Sequence, residues 1–252
     1  MINLFNRGAV KRGPRRYTTP SGDRYTLYSD MLRQPHLLIA GATGSGKSVI
    51  INGLIYTALY QLPGAGPEGI QLILIDPKRV ELSQWQAVPH CIQYADDPAP
   101  RLDALEYAVK LCDSRYKRMQ RAGERMYQGG DMYIIIDELA DLMLTQRRDA
   151  APLIQRLAQI GRAAKIHVIA ATQTPIRDVI PTPIKCNFDS RIGLRTRSAQ
   201  DSRNIIGRAG LELLPRYGQG VYMTPAGDML YNIPLIPDNE LTARAKYWTR
   251  QK

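Results

Sequence analysis

Eight residues constrain this chain more than any other feature. Gly41-Ala42-Thr43-Gly44-Ser45-Gly46-Lys47-Ser48 fits the pattern G-x-x-x-x-G-K-[ST] at every constrained position. The apolar run His36-Leu37-Leu38-Ile39-Ala40 precedes it, as a buried parallel strand would. Ile51, Leu54, Ile55, Ala58, Leu59 and Leu62 follow at helical spacing until Pro63-Gly64 stops them. In that strand–loop–helix setting the glycines let successive backbone N–H groups turn inward around a phosphate chain, and the helix N-terminus adds partial positive charge. Lys47 is placed to reach the β- and γ-phosphates of ATP, and the Ser48 hydroxyl to join a Mg²⁺ shell.

Roughly 90 residues further on, Tyr133-Ile134-Ile135-Ile136-Asp137-Glu138 is an apolar strand ending in two adjacent carboxylates. Side chains alternate along a strand, so the two acids leave it in different directions and suit different tasks. Asp137 is expected to hold Mg²⁺ with Ser48, and Glu138 to orient and polarise an attacking water. A second carboxylate points to hydrolysis rather than transfer to an acceptor. Asp141, one turn on, reads as a solvated helix carboxylate.

Gln71 to Asp76, Ile166 to Ala171 and Ser190 to Thr196 read as further strands, and Gly220 to Ile233 as strands or a hairpin. Leu102, Leu105, Val109, Cys112, Tyr116 and Met119 form a helical stripe closed by Gly123. A helix is expected near 149–164, with Asp149 as N-cap and Pro152 in its first turn. Strands alternating with helices argue for an α/β fold with a mostly parallel central sheet flanked by helices. Ala170-Ala171-Thr172-Gln173 then ends a strand at the edge where such folds bind ligands, and Gln173 is a candidate γ-phosphate sensor. Arg162, on the preceding helix, shares a polar face with Gln155 and Gln159.

The 252 residues are 44% hydrophobic and 23% charged, enough for one large buried core. No apolar run approaches the ~20 residues of a membrane span, and basic Met1 to Arg16 lacks the apolar stretch of a secretory signal. A cytoplasmic location is expected. Cys91, Cys112 and Cys186, with only three histidines, offer no zinc constellation. A net charge of +11 predicts a polyanionic partner. Residues 1–24 read as a basic flexible arm, 25–240 as the ordered domain and 241–252 as a C-terminal tail.

The motifs and the phrases around them resemble the motor domain of the FtsK/SpoIIIE DNA translocases. The similar phrases are Pro35 to Ser48, Ile75-Asp76-Pro77-Lys78, Ile136 to Met143, Arg156-Leu157-Ala158-Gln159, Gly161 to His167, Ala171-Thr172-Gln173 and Asp201-Ser202-Arg203. The resemblance implies a RecA-like P-loop ATPase core, a homo-hexameric ring with nucleotide sites between subunits, and double-stranded DNA in the channel. It also implies that Arg162 acts in trans on a neighbour's ATP and that Lys185 and Arg203 grip DNA. Thr174 and Ala199 depart from the family's basic residues, and Arg177, Arg195 and Arg197 are candidates to compensate. Contacts of this kind bind phosphates without reading sequence. A motor lacking its own membrane span implies a separate anchoring partner, and plasmid, phage, conjugative or chromosomal DNA as cargo. A single-strand motor of the conjugative coupling or HerA-like type, and a non-hydrolysing nucleotide-bound adaptor, are the alternative readings.

Overall fold

Six segments lie parallel in one sheet, and the apolar strands in its interior are buried on both faces. A computed structural model describes residues 23–61, 66, 68–173 and 180–251. Strands β1 (His36–Ala40), β2 (Ile70–Ile75), β3 (Cys91–Ala95), β4 (Asp131–Ile136), β5 (Ile166–Thr172) and β6 (Ser190–Gly193) run parallel. The hairpin β7 (Gln219–Thr224) and β8 (Gly227–Asn232) extends the sheet antiparallel. The spatial order is β3-β2-β4-β5-β1-β6-β7-β8. The described helices are α1 (Asp23–Leu32), α2 (Lys47–Gln61), α3 (Pro98–Ala122), α4 (Leu139–Thr145), α5 (Arg147–Ile160), α6 (Thr182–Lys185), α7 (Ala199–Ile206) and α8 (Asp238–Thr249).

Alternate strand residues feed two separate cores. Leu38, Ala40, Ile73 and Ile75 pack with Leu105 and Cys112 of α3 and with Ile154 and Leu157 of α5. Leu37, Ile39, Leu72 and Leu74 face the other way, onto Leu27 and Tyr28 of α1 and Ile51, Leu54 and Ile55 of α2. α3 ends where Gly123 takes φ 69, the left-handed turn that a helix C-terminus favours in glycine.

The architecture matches the expected α/β sheet, with differences in detail. β3 was not foreseen: it is an edge strand in which only Ala95 is buried, so its sequence lacks a continuous apolar run. The helix expected over 149–164 spans Arg147–Ile160, so Pro152 lies inside it and Gln146, not Asp149, precedes its first residue. β6 stops at Gly193, short of Thr196. Most of the expected arm, residues 1–22, lies outside the described residues. The boundary expected after residue 240 falls within α8, whose Leu241 and Ala245 are buried. None of the three cysteines forms a disulfide, and the described residues hold no cluster of three or more His, Cys, Asp or Glu side chains suited to a metal. Among them, no helix is long and apolar enough to cross a membrane.

Candidate active site

The Gly-rich loop is rooted in the two strands that flank β1. Gly41 N–H donates at 3.3 Å to the O of Thr172, the last residue of β5, and Ala42 N–H donates to Arg195 O at 2.8 Å beyond β6. A Cβ on Gly41 would sit 2.7 Å from both Leu194 Cβ and Ser45 Oγ, so only glycine fits there. Gly44 and Gly46 take φ of 71° and 105°, which turn the loop into α2. Lys47 opens that helix and curls back, its Nζ donating to Gly41 O (2.8 Å) and Ala42 O (2.9 Å). Burial lowers its pKa to about 8, with Glu138 the main charge opposing that shift. The ammonium therefore persists at neutral pH. The adjoining cleft, about 290 Å³, is lined by Thr43, Gly46, Lys47, Ser48, Asp137 and Gln173.

The paired acids face this loop because β4 lies one strand away from β1, across β5. Asp137 N–H extends the ladder to Ile75 O at 3.0 Å, and both acids are buried. Burial raises the Asp137 carboxyl to about 6, and Lys78 is the main opposing charge. Glu138 is held from both sides: Gln173 N–H donates to Oε1 at 3.0 Å, and Lys78 Nζ contacts Oε2 at 3.3 Å. The Gln173 side chain in turn accepts from Thr43 Oγ1 at 2.7 Å. Thr43, Gln173 and Glu138 thus share one chain of hydrogen bonds. Ser48 and Asp137 share the cleft wall, and a hydroxyl beside a buried carboxylate is an all-oxygen donor set that fits Mg²⁺.

Sequence reasoning assigned no role to Lys78, Glu81 or Tyr217. Lys78 touches Glu138, while Glu81 and Tyr217 line the cleft beside Lys47 and Ser48. The available signal for Lys78 was its place in the Ile75-Asp76-Pro77-Lys78 phrase. Asp141 differs from its expectation as a solvated carboxylate: it pairs with buried Arg101 at 3.1 Å.

Arg162 is placed elsewhere. It does not lie on a helix; it is exposed in the turn between α5 and β5, at the N-terminal end of the sheet. The P-loop follows β1, which pairs in parallel with β5, so strand length separates the two ends by about 16 Å. A cleft of about 820 Å³ at the Arg162 end is also lined by Gln34, Asp131, Lys165, His167 and Asn187.

The proposed DNA contacts divide between the same two ends. Lys185 precedes β6 and lies at the Arg162 end, where Arg191 braces it by donating to Lys185 O at 3.2 Å. Arg195 and Arg197 follow β6; Arg197 lines the grooves beside Ala42 and Thr43 rather than sharing a surface with Lys185. Arg203 is exposed on α7, and the departing Ala199 is the first residue of that helix. Arg208 of the same basic stretch is committed to an ion pair with Asp228. Arg177 and Thr174 lie outside the described residues.

The model of the FtsK/SpoIIIE family matches residues 17–134 and 128–177. The DNA translocase FtsK of Agrobacterium fabrum is 36% identical over an alignment covering 89% of this chain and 30% of that protein. The DNA translocase FtsK of Rickettsia typhi is 37% identical, with 88% and 35% covered. The chain therefore spans about a third of the length of these relatives. Among solved structures, the pCW3 conjugation coupling protein TcpA superposes with a TM-score of 0.76 at 24% identity, covering 88% of this chain and 66% of that one. The genome packaging NTPase B204 of Sulfolobus turreted icosahedral virus 2 gives 0.55 at 17%, covering 81% and 100%. At these identities the structural likeness speaks for a shared P-loop ATPase fold.

Proposed function

The chain belongs to the FtsK/SpoIIIE family, and from that premise we propose that it is an ATP-hydrolysing motor that moves double-stranded DNA as a homo-hexameric ring. The observation that carries the chemistry is the phosphate loop facing Asp137 and Glu138 across one sheet edge, with Gln173 bonded to both loop and acid. Loop amides and Lys47 hold the phosphate tail of ATP. Ser48 and Asp137 hold Mg²⁺, which neutralises phosphate charge when bound. Glu138 polarises the attacking water and takes its proton. Gln173 reports the γ-phosphate through its link to Thr43.

Arg162 supplies charge to a neighbour's site, since its own P-loop is a strand length away. In a head-to-tail ring one subunit's Arg162 end meets the next subunit's P-loop end. Lys185 and Arg203 grip the DNA backbone, with Arg177 and Arg197 as further candidates. A separate membrane-anchoring partner and a mobile-element or chromosomal cargo belong to the same reading.

The test is ATP turnover and triplex displacement on linear duplex. The native chain is expected to show duplex-stimulated hydrolysis and displacement, and Lys47→Ala and Glu138→Gln are expected to lose both. Stimulation by single strands alone would select the coupling-type reading, and unchanged turnover in Glu138→Gln would remove the hydrolytic one.

A further inference from the structure

The sheet order places β4 between β2 and β5, so the loops leaving those two strands flank Glu138. From β5 comes the Gln173 amide on Oε1, and from β2 comes the Lys78 ammonium on Oε2. The Glu138 side chain is 8% exposed, and a carboxylate so withdrawn from water needs a donor on each oxygen. Rotating its terminal bond breaks both contacts, so the two donors together set the plane in which Glu138 presents its remaining lone pairs.

The loop that carries Lys78 is itself braced. Asp76 is fully buried, and its Oδ2 accepts from Leu82 N–H (3.0 Å) and Tyr94 O–H (3.2 Å). Arg79, next to Lys78, holds a positive φ of 59° and pairs with Asp96 at 3.2 Å and with Asp97. A non-glycine residue in that region persists only where its surroundings hold it. The Lys78 side chain is 43% exposed, so the core does not need its charge.

We infer that Lys78 is a positioning residue for hydrolysis, aiming the Glu138 carboxylate at the water it polarises. Lys78 neither gives nor takes a proton; Glu138 receives the proton of the attacking water while the ammonium keeps the carboxylate in place. The inference rests on the proposed ATP hydrolysis.

The experiment compares native protein, Lys78→Met and Lys78→Arg in duplex-stimulated ATPase, alongside the affinity of each for a non-hydrolysable ATP analogue with Mg²⁺. Lys78→Met is expected to lower kcat about tenfold to a hundredfold, the cost of a misplaced catalytic group. KM for ATP and analogue affinity should stay within about twofold, and Lys78→Arg should recover most of kcat by restoring a cationic donor. An unchanged kcat in Lys78→Met overturns the inference. So does a raised kcat, which would make Lys78 a restraint, and so does joint loss of kcat and analogue binding. A native chain inactive with duplex and Mg²⁺ overturns the proposed function and this inference with it, whereas an active native chain with an indifferent Lys78→Met overturns the inference alone.

Discussion

At Asp137 the fold keeps a carboxyl where its charge is penalised. Its pKa in the folded chain is raised to about 6 from an ordinary 3.8, with burial as the first cause. The favourable contribution of the protonated form is fully present below pH 3.8 and is lost as pH rises through about 6. At neutral pH the ionised group therefore costs about 3 kcal/mol. Asp137→Asn is expected to raise the urea midpoint of nucleotide-free protein at pH 7 while abolishing ATP turnover, and the gain should vanish near pH 4. Midpoints that stay parallel across that range would refute the assignment to burial. Gly41 is a second residue-level test. Gly41→Ala drives a Cβ against Leu194 and Ser45, and should cost about 1–3 kcal/mol in urea unfolding and weaken nucleotide binding. The loop and the paired acids were legible from adjacent letters, whereas the Ile75-Asp76-Pro77-Lys78 phrase marks Lys78 without linking it to Glu138, 60 positions later.

Among the elements, the turn between α5 and β5 is held by several hydrogen bonds although its Arg162 side chain is exposed. Buried Arg115 of α3 donates to Ala164 O (2.7 Å) and Lys165 O (3.0 Å), and Tyr116 O–H donates to Ile160 O at 2.8 Å. Tyr127 N–H donates to Ala163 O at 2.9 Å, and Lys165 Nζ to Gly129 O at 3.2 Å. These bonds fix the backbone that presents Arg162. Arg115→Met removes the donor to Ala164 O, while Lys165 O keeps the Met132 N–H at 2.9 Å, and is expected to cost about 1–3 kcal/mol. Amide hydrogen exchange over residues 161–165 should accelerate, and unaltered exchange there would count against the clamp. Element identity was readable where the apolar signal was continuous, as in β1, β2, β4 and β5. It was unreadable in β3, whose edge position leaves most of its residues half-buried.

For the whole molecule, parallel strands give the sheet two unlike ends. Lys47, Asp137 and Glu138 gather where the strands finish, and Arg162 and Lys185 where they start. Two different ends meeting head to tail form a heterologous interface, which closes into a ring when the rotation permits. Lys47→Ala subunits and Arg162→Ala subunits are each expected to be inactive alone. Mixed together they should regain duplex-stimulated hydrolysis, because Lys47→Ala chains supply Arg162 to the intact P-loops of the others. Failure of every mixing ratio to restore activity would exclude action in trans.

By itself the sequence determined the phosphate loop, the acidic strand end and the alternation that builds a parallel sheet. Each depends on residues adjacent in the chain, where local backbone geometry and burial period leave a direct mark. Tertiary structure decided which loops flank Glu138, that Arg191 and Arg208 brace the fold while Arg197 lines the loop grooves, and that Arg162 stands a strand length from its own P-loop. Those facts follow from strand order, which brings distant residues within hydrogen-bonding reach and depends on how all the elements pack together.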